Sequence, residues 1–269
     1  MIPHREIAPA KLNLALHVRG KRPDGRHDIE TVFAFCVDGD RLSGEAADTL
    51  SLEVKGPFAG ELGPSESNLV IRAAEALRDA AGVKQGAALV LDKRLPVASG
   101  LGGGSADAAA ALRLLTSMWT IDPSHAQAVA PQLGSDVPAC LLSLPARGEG
   151  AGDQLSPVDL SDLSGAAVLL VNPRVPLSTA EVFAGWDGED RGPLTDWRHG
   201  RNDLEQAAIR QAPLVTTVLA WLSAQRGASF VRMSGSGATC FALFENDAQR
   251  DQSATAVPRE WWHLATSLR

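Results

Sequence analysis

Leu95–Leu115 reads LPVASGLGGGSADAAAALRLL, and this stretch decides the fold that the sequence predicts. Four of the five residues at positions 100–104 are glycine, and the alanine- and leucine-rich segment after them has strong helix propensity. Ser105 is a residue type favoured at helix N-caps, so we expect the helix to begin there. A glycine loop before a helix N-terminus offers backbone N–H groups and the positive end of the helix dipole. The stretch therefore predicts a phosphate-binding loop rather than a flexible turn before a packed helix.

Two common kinds of phosphate loop do not match this stretch. A Walker A loop needs a Lys-Ser or Lys-Thr pair after the glycines, and none follows here. A dinucleotide-binding loop needs glycine or alanine where Ser105 stands. It also needs an acidic residue about twenty positions later to bind the ribose, and no clear candidate follows. The stretch therefore predicts a phosphate loop of another kind.

Length and composition bound the class of protein. The chain has 269 residues, enough for two modest domains that share a cleft or for one large domain. Its formal net charge of -7 argues against nucleic acid as a partner, because phosphate backbones are bound by basic faces. The cysteines lie far apart and form no CxxC or Cys/His cluster, so we expect neither a metal site built on them nor a disulfide framework.

We expect neither a signal peptide nor a membrane-spanning segment in this sequence. The N-terminal residues lack the apolar core of a signal peptide. No apolar run approaches the roughly 20 residues that span a bilayer. We therefore expect a cytoplasmic protein with no membrane partner.

Hydrophobic periodicity predicts strands mixed with helices. Residues 7–19 alternate apolar and polar side chains, which is typical of a half-buried strand. Because the elements follow one another without regular βαβ alternation, we expect an α+β fold rather than a doubly wound sheet. Residues 186–201 are polar and contain glycine, so we expect a surface loop near the site. Further strands are expected at 29–37, 49–55, 87–92, 147–155 (a hairpin), 166–171, 228–233, 239–244 and 261–268, and helices at 67–81, 105–119, 123–133, 204–210 and 213–226, from 178 onward, and before the last strand.

Two residues outside the loop are candidates for the chemistry. Phosphoryl transfer to a hydroxyl group needs charge neutralisation at the phosphoryl and an oriented nucleophile. Asp136 lies at a turn before a short apolar run, where an aspartate taken alone is more often a local helix cap. Lys11 enters the first predicted strand, and taken alone it is more often a solvated lysine.

Several motifs resemble those of the GHMP kinases, the family of galacto-, homoserine, mevalonate and phosphomevalonate kinases. Pro96-x-x-x-Gly-Leu-Gly-Gly-Gly-Ser105 resembles the phosphate loop of that family. Pro9-Ala-Lys-Leu-Asn-Leu14 resembles its first motif, and Gly134-Ser-Asp-Val-Pro138 resembles its glycine-aspartate segment. Met233-Ser-Gly-Ser-Gly-Ala238 resembles its third motif, which packs near the phosphate site. These motifs follow the family order over nearly the whole chain, which makes the resemblance far more specific than one glycine loop.

The resemblance implies the catalytic residues and the cofactors. Lys11 and Asp136 stand at the positions of the family's catalytic lysine and aspartate. A neighbouring ammonium group favours an ionised carboxylate, which can then accept the proton of a hydroxyl group. The implied cofactors are ATP and Mg²⁺, with Ser105 as a phosphate or magnesium contact. The residues implied to bind ATP are Pro96, Val97, Ala98, Ser99, Gly100, Leu101, Gly102, Gly103, Gly104, Ser105 and Ala106.

A further segment points to the class of substrate. Arg22-Pro-Asp-Gly-Arg-His27 resembles the segment with which some GHMP kinases bind a cytidine group, except that Arg26 replaces a cytosine-stacking tyrosine. The chain contains no tyrosine. Because a guanidinium plane can stack on a base, we predict that Arg26 and Phe183 flank the cytosine and that His27 reads its polar edge. The alternatives are that His27 is a satisfied core histidine, and that Arg26 points to solvent or pairs with an acid such as Asp28. The residues implied to bind substrate are Asn13, Arg26, His27 and Phe183.

The resemblance also implies the architecture and the activity. An N-terminal domain similar to the second domain of ribosomal protein S5 is expected at residues 1–160, and a ferredoxin-like C-terminal domain at 161–269, with ATP and substrate in the cleft between them. The implied activity is ATP-dependent phosphorylation of a hydroxyl group on a small molecule linked to cytidine diphosphate, by a monomer or homodimer. One alternative is a GHMP kinase for another small alcohol. The other is a nucleotide-binding regulator without catalysis, against which the retention of Lys11 and Asp136 argues.

Overall fold

The computed structural model of the protein describes residues 4–64 and 67–269. Residues 1–3, on which the expectation of no signal peptide partly rests, lie outside the described residues. The chain folds into two compact units. The first unit comprises the described residues of Met1–Ala10, Asp38–Val97 and Gly102–Ser143, and the second comprises Lys11–Val37, Ala98–Leu101 and Leu144–Arg269. The domain boundary expected at residue 160 stays a prediction.

The first unit packs helices on a small group of strands. Its strands are the start of β1 (His4–Lys21), the second part of β2 (His27–Ala47), β3 (Leu50–Lys55) and β4 (Gly86–Asp92), and its helices are α1 (Leu69–Ala81), α2 (Gly103–Met118), α3 (Pro123–Leu133) and α4 (Val137–Leu142). β4 pairs antiparallel with β2 and parallel with β3. α2 packs against the other three helices and is buried on most of its surface, which explains why its sequence is almost wholly apolar. Its alanines allow the neighbouring helices to approach closely.

The second unit is built on two sets of antiparallel strands. β2 pairs with β5 (Ala146–Glu149), which pairs with β6 (Gln154–Pro157). The other strands are β7 (Ala167–Asn172), β8 (Ala228–Met233), β9 (Cys240–Phe244) and β10 (Trp262–Ser267), and the helices are α5 (Thr179–Ala184), α6 (Glu205–Gln211), α7 (Leu214–Ser223) and α8 (Asp247–Thr255). These four strands form one antiparallel sheet in the order β10-β7-β9-β8. Buried residues of that sheet and of α6 and α7 form a hydrophobic core.

The predicted elements are found in sequence order, but α4 was not predicted and β2 is longer than expected. β2 continues to Ala47 instead of ending near Val37, through Asp38-Gly39-Asp40, which the sequence pattern treats as a break. Glycine is required there because a Cβ on Gly39 would lie 1.9 Å from the carbonyl oxygen of Ala8. The segment 186–201 is irregular, as expected, but it is anchored by the buried residues Leu194 and Trp197.

The expectations about disulfides and membrane spans can be compared with the described residues. Cys36, Cys140 and Cys240 all lie in the described part of the chain, are buried and form no disulfide. Within residues 4–64 and 67–269, every helix is too short or too polar to cross a membrane.

Candidate active site

Lys11 and Asn13 form a buried polar pair on β1. Alternate residues of a strand face the same side, so both side chains enter the same part of the second unit. Only 4% of Lys11 and 2% of Asn13 is exposed. Nζ of Lys11 donates to Oδ1 of Asn13 at 2.8 Å, and it lies 5.2 Å from the centroid of the Phe33 ring. Nδ2 of Asn13 donates to Oγ1 of Thr31 at 2.7 Å, so the amide is fixed from β2 and orients the lysine.

Residues 98–101 of the glycine loop belong to the second unit and are hydrogen-bonded within it. The backbone N–H of Lys11 donates to the carbonyl of Leu101 at 2.9 Å, and that of Thr239 donates to the carbonyl of Ser99 at 3.2 Å. The hydroxyl of Ser234 donates to the carbonyl of Gly100 at 2.9 Å. Gly100 has a φ of +78°, and a Cβ there would lie 2.2 Å from the carbonyl oxygen of Ser234. This contact agrees with the expectation that the segment 233–238 packs near the phosphate loop.

The loop ends at the N-terminus of α2, two residues before the predicted position. Gly102 is the N-cap, with a φ of +64° and no side-chain capping hydrogen bond. The prediction that Ser105 caps the helix is therefore wrong, because glycine in the left-handed region starts the helix earlier and places Ser105 inside its first turn. The first turn has no side-chain cap on its N–H groups, an arrangement suited to binding an anion.

A buried ion cluster next to the loop escaped the sequence analysis. Nζ of Lys93, at the end of β4, donates to Oδ2 of Asp40 and to Oδ2 of Asp107, at 2.5 and 2.7 Å. Burial works against the charge of Lys93, but the carboxylates of Asp107 and Asp40 outweigh it and raise the pKa of the lysine. These residues lie far apart in sequence. The one available signal was an aspartate within the otherwise apolar helix that follows the loop.

Asp136 immediately precedes α4 and is half-buried. Its side chain makes no capping hydrogen bond to that helix. Asp136 thus occupies the N-cap position of α4 without a side-chain cap, and its role in catalysis stays a prediction.

Three rings meet where the sequence predicts a base-binding site. The rings of His27 and Phe183 have centroids 5.1 Å apart and are tilted by 35°. Trp186, which the sequence analysis did not assign to the site, stands edge-on to His27 at 5.7 Å. Burial, aided by the charge of Lys21, lowers the pKa of His27, which favours the neutral imidazole. A neutral imidazole has one donor and one acceptor nitrogen, as the reading of a base edge requires.

Arg26 lies in the exposed turn between β1 and β2. Its side chain is 58% exposed and pairs with Asp24, with the Nη2 to Oδ2 distance at 2.9 Å. Asp28, the acid considered from the sequence, pairs with Arg22 instead. The stacking of Arg26 on a base stays a prediction.

The predicted site residues fall in both units. Lys11, Asn13, Arg26, His27, Phe183 and residues 98–101 belong to the second unit, and Pro96, Val97, residues 102–106 and Asp136 to the first. Within the second unit, the structure brings Lys11 and Asn13 next to the loop, and His27 next to Phe183. The pairing of Lys11 with Asp136 stays a prediction.

The described residues contain no group of three or more His, Cys, Asp or Glu side chains arranged to hold a metal ion. This is compatible with Mg²⁺ in a kinase, which keeps several waters and is held mainly by nucleotide phosphates. Ser105, half-buried in the first turn of α2, is the residue we considered for this contact.

The class of protein follows from comparison with known families. The family model for the GHMP kinases N terminal domain matches residues 68–143, and that for the GHMP kinases C terminal matches residues 191–263. The chain belongs to the GHMP kinase family. The expected α+β class and two-domain GHMP kinase fold are confirmed.

Individual relatives narrow the comparison. A 4-diphosphocytidyl-2-C-methyl-D-erythritol kinase of Rhizorhabdus wittichii is 50% identical to the chain, over 98% of this chain and 94% of the relative. The enzyme of the same name from Novosphingobium aromaticivorans is 47% identical, over 98% and 93%. A crystal structure of 4-(cytidine 5'-diphospho)-2C-methyl-D-erythritol kinase matches the fold with a TM-score of 0.85 and 33% identity, covering 98% of each chain.

Proposed function

We propose that the protein transfers the γ-phosphoryl group of ATP to the 2-hydroxyl of 4-diphosphocytidyl-2-C-methyl-D-erythritol, a step in the formation of isoprenoid precursors. The observation that carries this proposal is the likeness, over nearly the full length of the chain, to kinases with this name. The site geometry supports it with a buried lysine beside a glycine loop and a histidine among aromatic rings.

Lys11 and Asp136 are assigned the proton transfer and charge stabilisation. The carboxylate of Asp136 accepts the proton of the 2-hydroxyl while the oxygen of that hydroxyl bonds to the γ-phosphorus. The bond between the γ-phosphorus and the β-phosphate oxygen breaks and releases ADP. The ammonium of Lys11 stabilises the negative charge that develops on the transferring group. Asn13 supports this role because its amide accepts from Nζ of Lys11 at 2.8 Å and holds the lysine in one orientation.

The glycine loop, residues 96–106, is assigned the phosphates of ATP. The N–H groups at the start of α2 suit the anionic oxygens, and Mg²⁺, when bound to the nucleotide, neutralises part of the phosphate charge. Ser105 lies in the first turn of α2, where its hydroxyl would contact a phosphate or the magnesium ion.

The cytosine is assigned to the rings around His27. Phe183 and Arg26 flank the base, and His27 reads its polar edge. Trp186 supports this role because its edge contact with His27 restricts the orientation of the imidazole. Arg26 is not locked in place, because its exposed pair with Asp24 is of a kind worth little to stability and easily exchanged.

Product analysis with a panel of alcohols tests the proposal. The purified protein is incubated with MgATP and, separately, the cytidylated methylerythritol, homoserine and mevalonate. We expect a phosphorylated product from the cytidylated substrate alone. Turnover of homoserine or mevalonate instead would favour the alternative of a GHMP kinase for another small alcohol. Absence of turnover with every alcohol, despite ATP binding, would favour the regulator without catalysis.

Location and assembly remain part of the proposal. The composition favours a cytoplasmic enzyme whose partners are small molecules and not nucleic acid. Whether it acts as a monomer or a homodimer is tested by light scattering during gel filtration.

A further inference from the structure

A concavity of about 530 Å³ opens on the strands β2, β3 and β4 and on the start of β1, within the first unit. Small-molecule sites in proteins commonly have volumes of roughly 300–1,000 Å³, so this one is large enough for a metabolite. None of the loop residues 96–106 lines it, and neither does any residue that we assign to catalysis or to substrate binding. The concavity is therefore distinct from the proposed active site.

The alternation of side chains shows that the concavity lies on the face of the sheet opposite α2. Leu89 of β4 is buried on the α2 side, because a Cβ on Gly44 would contact the side chains of both Leu89 and Leu114. Alternate residues of a strand face opposite sides. Val90, which lines the concavity, therefore faces away from α2, and so does Asp92 two residues further on.

Cationic side chains from several strands line this concavity, namely Arg5, Arg41, Lys55 and Arg94. The sheet register places two of them, because Arg41 of β2 and Lys55 of β3 both lie opposite Asp92 of β4. Neighbouring strands are about 5 Å apart, so the backbones at Arg41 and Lys55 are separated by about 10 Å. Long side chains on the same face of the sheet can therefore reach one ligand between them.

The carboxylates of the concavity are already engaged by other cations. Oδ2 of Asp92 accepts from Nε of Arg94 at 2.7 Å. Oε2 of Glu6 accepts from Nε of Arg113 at 3.1 Å. Because each of these pairs is neutral as a whole, neither balances the charge of the remaining cations.

Three cations are left without a counter-charge. Arg5, Arg41 and Lys55 are exposed, and none of them forms an ion pair within the part of the chain that the structure describes. The chain as a whole is acidic, with a formal net charge of -7, so this local excess of positive charge runs against its overall balance. Charges of one sign that line a concave surface concentrate their field and attract a ligand of opposite sign. The concavity is therefore suited to an anion.

Apolar side chains complete the lining. Ile7 is 45% exposed and Val90 is half-buried, and both line the same concavity as the three cations. A single exposed isoleucine is common on protein surfaces, but this one stands beside charges that a purely apolar ligand would leave unmatched. An inorganic anion would leave Ile7 and Val90 in water. The lining fits a ligand with an anionic end and an apolar part.

We propose that this concavity binds a small organic diphosphate, whose phosphates contact Arg5, Arg41 and Lys55 and whose hydrocarbon part covers Ile7 and Val90. Arginine binds phosphate through two parallel N–H groups, and lysine binds it as a point charge. Two linked phosphates match three cations better than one phosphate does, because they carry more charge and span more of the distance between the strands. The inference goes beyond the proposed function, and the two sites share no residue.

Calorimetric titration of the full-length protein with pentyl diphosphate tests this site. Saturating Mg²⁺ and a non-hydrolysable ATP analogue are present, so that the nucleotide occupies the glycine loop. The double variant Arg41→Gln, Lys55→Gln removes two of the charges and keeps polar side chains, and we expect it to bind about 10-fold or more weakly than the wild type. Lys84→Gln, at an exposed lysine of the same unit outside the concavity, is the matched control and should bind like the wild type.

A second comparison tests the apolar part of the ligand. The wild type should bind pentyl diphosphate about 3–10-fold more tightly than inorganic pyrophosphate, because only the former covers apolar surface. Ile7→Ala should remove most of that preference. Added salt should weaken the binding of both ligands, because exposed charges are screened.

The outcomes separate this site from binding elsewhere. Equal affinity of the wild type and the double variant for pentyl diphosphate would overturn the proposal, and so would the absence of saturable binding by the folded wild type. Equal affinity of the wild type for pentyl diphosphate and pyrophosphate would contradict the organic nature of the ligand. If the double variant does not fold, the two single variants test the same claim, since each removes one exposed charge.

Discussion

The surroundings of Lys11 and Lys93 show two ways of burying a lysine beside the same loop. Lys93, in the first unit, lies between two carboxylates, one of which also binds the backbone entering the loop. Lys11, in the second unit, donates to a side-chain amide and lies near an aromatic ring, while its backbone N–H holds Leu101. Both side chains are more than nine-tenths buried, so burial alone does not show which lysine acts on a ligand.

The side chains that contact each lysine differ in charge. The charge of Lys93 is balanced within the protein by Asp40 and Asp107, so it acts on a ligand only through the structure it holds. Lys11 is oriented by the amide of Asn13 and is assigned to the transferring phosphoryl group. We therefore expect changes at Lys11 to reduce turnover, and changes at Lys93 to reduce stability first.

The largest expected effect is on turnover, at the proposed catalytic pair. Asp136→Asn keeps the size of the side chain but removes the proton acceptor, so kcat should fall by about 10²–10⁴-fold with little change in substrate affinity. Lys11→Ala should be similarly damaging. Steady-state kinetics and thermal unfolding of each variant provide the measurement. Near-normal turnover in either folded variant would contradict the assignment.

Lys93→Met should lower the free energy of unfolding by about 3–5 kcal/mol, because it leaves two carboxylates buried without their cation. Chemical denaturation followed by circular dichroism measures this loss. Lys84→Met, at an exposed lysine of the same unit, is the matched control and should change stability by less than about 0.5 kcal/mol. If the two variants were equally stable, the cluster would not hold the base of the loop.

Gly100→Ala tests the part of the loop that belongs to the second unit. A methyl group at this positive φ meets the backbone of Ser234, so we expect a loss of about 2–4 kcal/mol in stability together with weaker ATP binding. Gly104→Ala is the comparison, because a Cβ there would make an ordinary 3.5 Å contact with Leu69. Thermal unfolding should separate the two, and equal midpoints would show that the close approach at Gly100 is not needed.

The smallest expected effect concerns Arg26. If its guanidinium stacks on the cytosine, Arg26→Ala should raise KM by an amount equivalent to roughly 1–3 kcal/mol, and Arg26→Tyr should restore binding. Asp24→Ala, which removes the partner of Arg26, should leave KM unchanged or lower it. An unchanged KM in Arg26→Ala would end the stacking role and leave the assignments of Lys11 and Asp136 untouched.

The sequence predicted those features that depend on neighbouring residues. The strand predicted from the alternation at 7–19 and the helices predicted at 67–81 and 123–133 were found, with ends within three residues of those expected. The contact of Ser234 with the glycine loop was also expected, because the segment 233–238 resembles a family motif that packs near the phosphate site.

Features that depend on distant contacts were missed. The continuation of β2 through Gly39 depends on the backbone at Ala8, some thirty residues away. The Lys93 cluster joins Asp40 of β2, Lys93 just after β4 and Asp107 of α2, and of these only Asp107, in an apolar helix, stands out in the sequence. Trp186 was placed in a loop because its surroundings are polar, and its contact with His27 appears only in the folded chain.

The alanine-rich course of α2 limits how this gene can vary. Ala108–Ala111 are fully buried, and α2 packs against three other helices. A single nucleotide change in an alanine codon adds volume, a polar group or a charge, introduces proline, or leaves glycine, and each of these is costly in a packed helix. Saturation mutagenesis should therefore show that substitutions are poorly tolerated along α2, well past the residues assigned to the nucleotide. Low sequence variability in this helix would then reflect packing as much as catalysis.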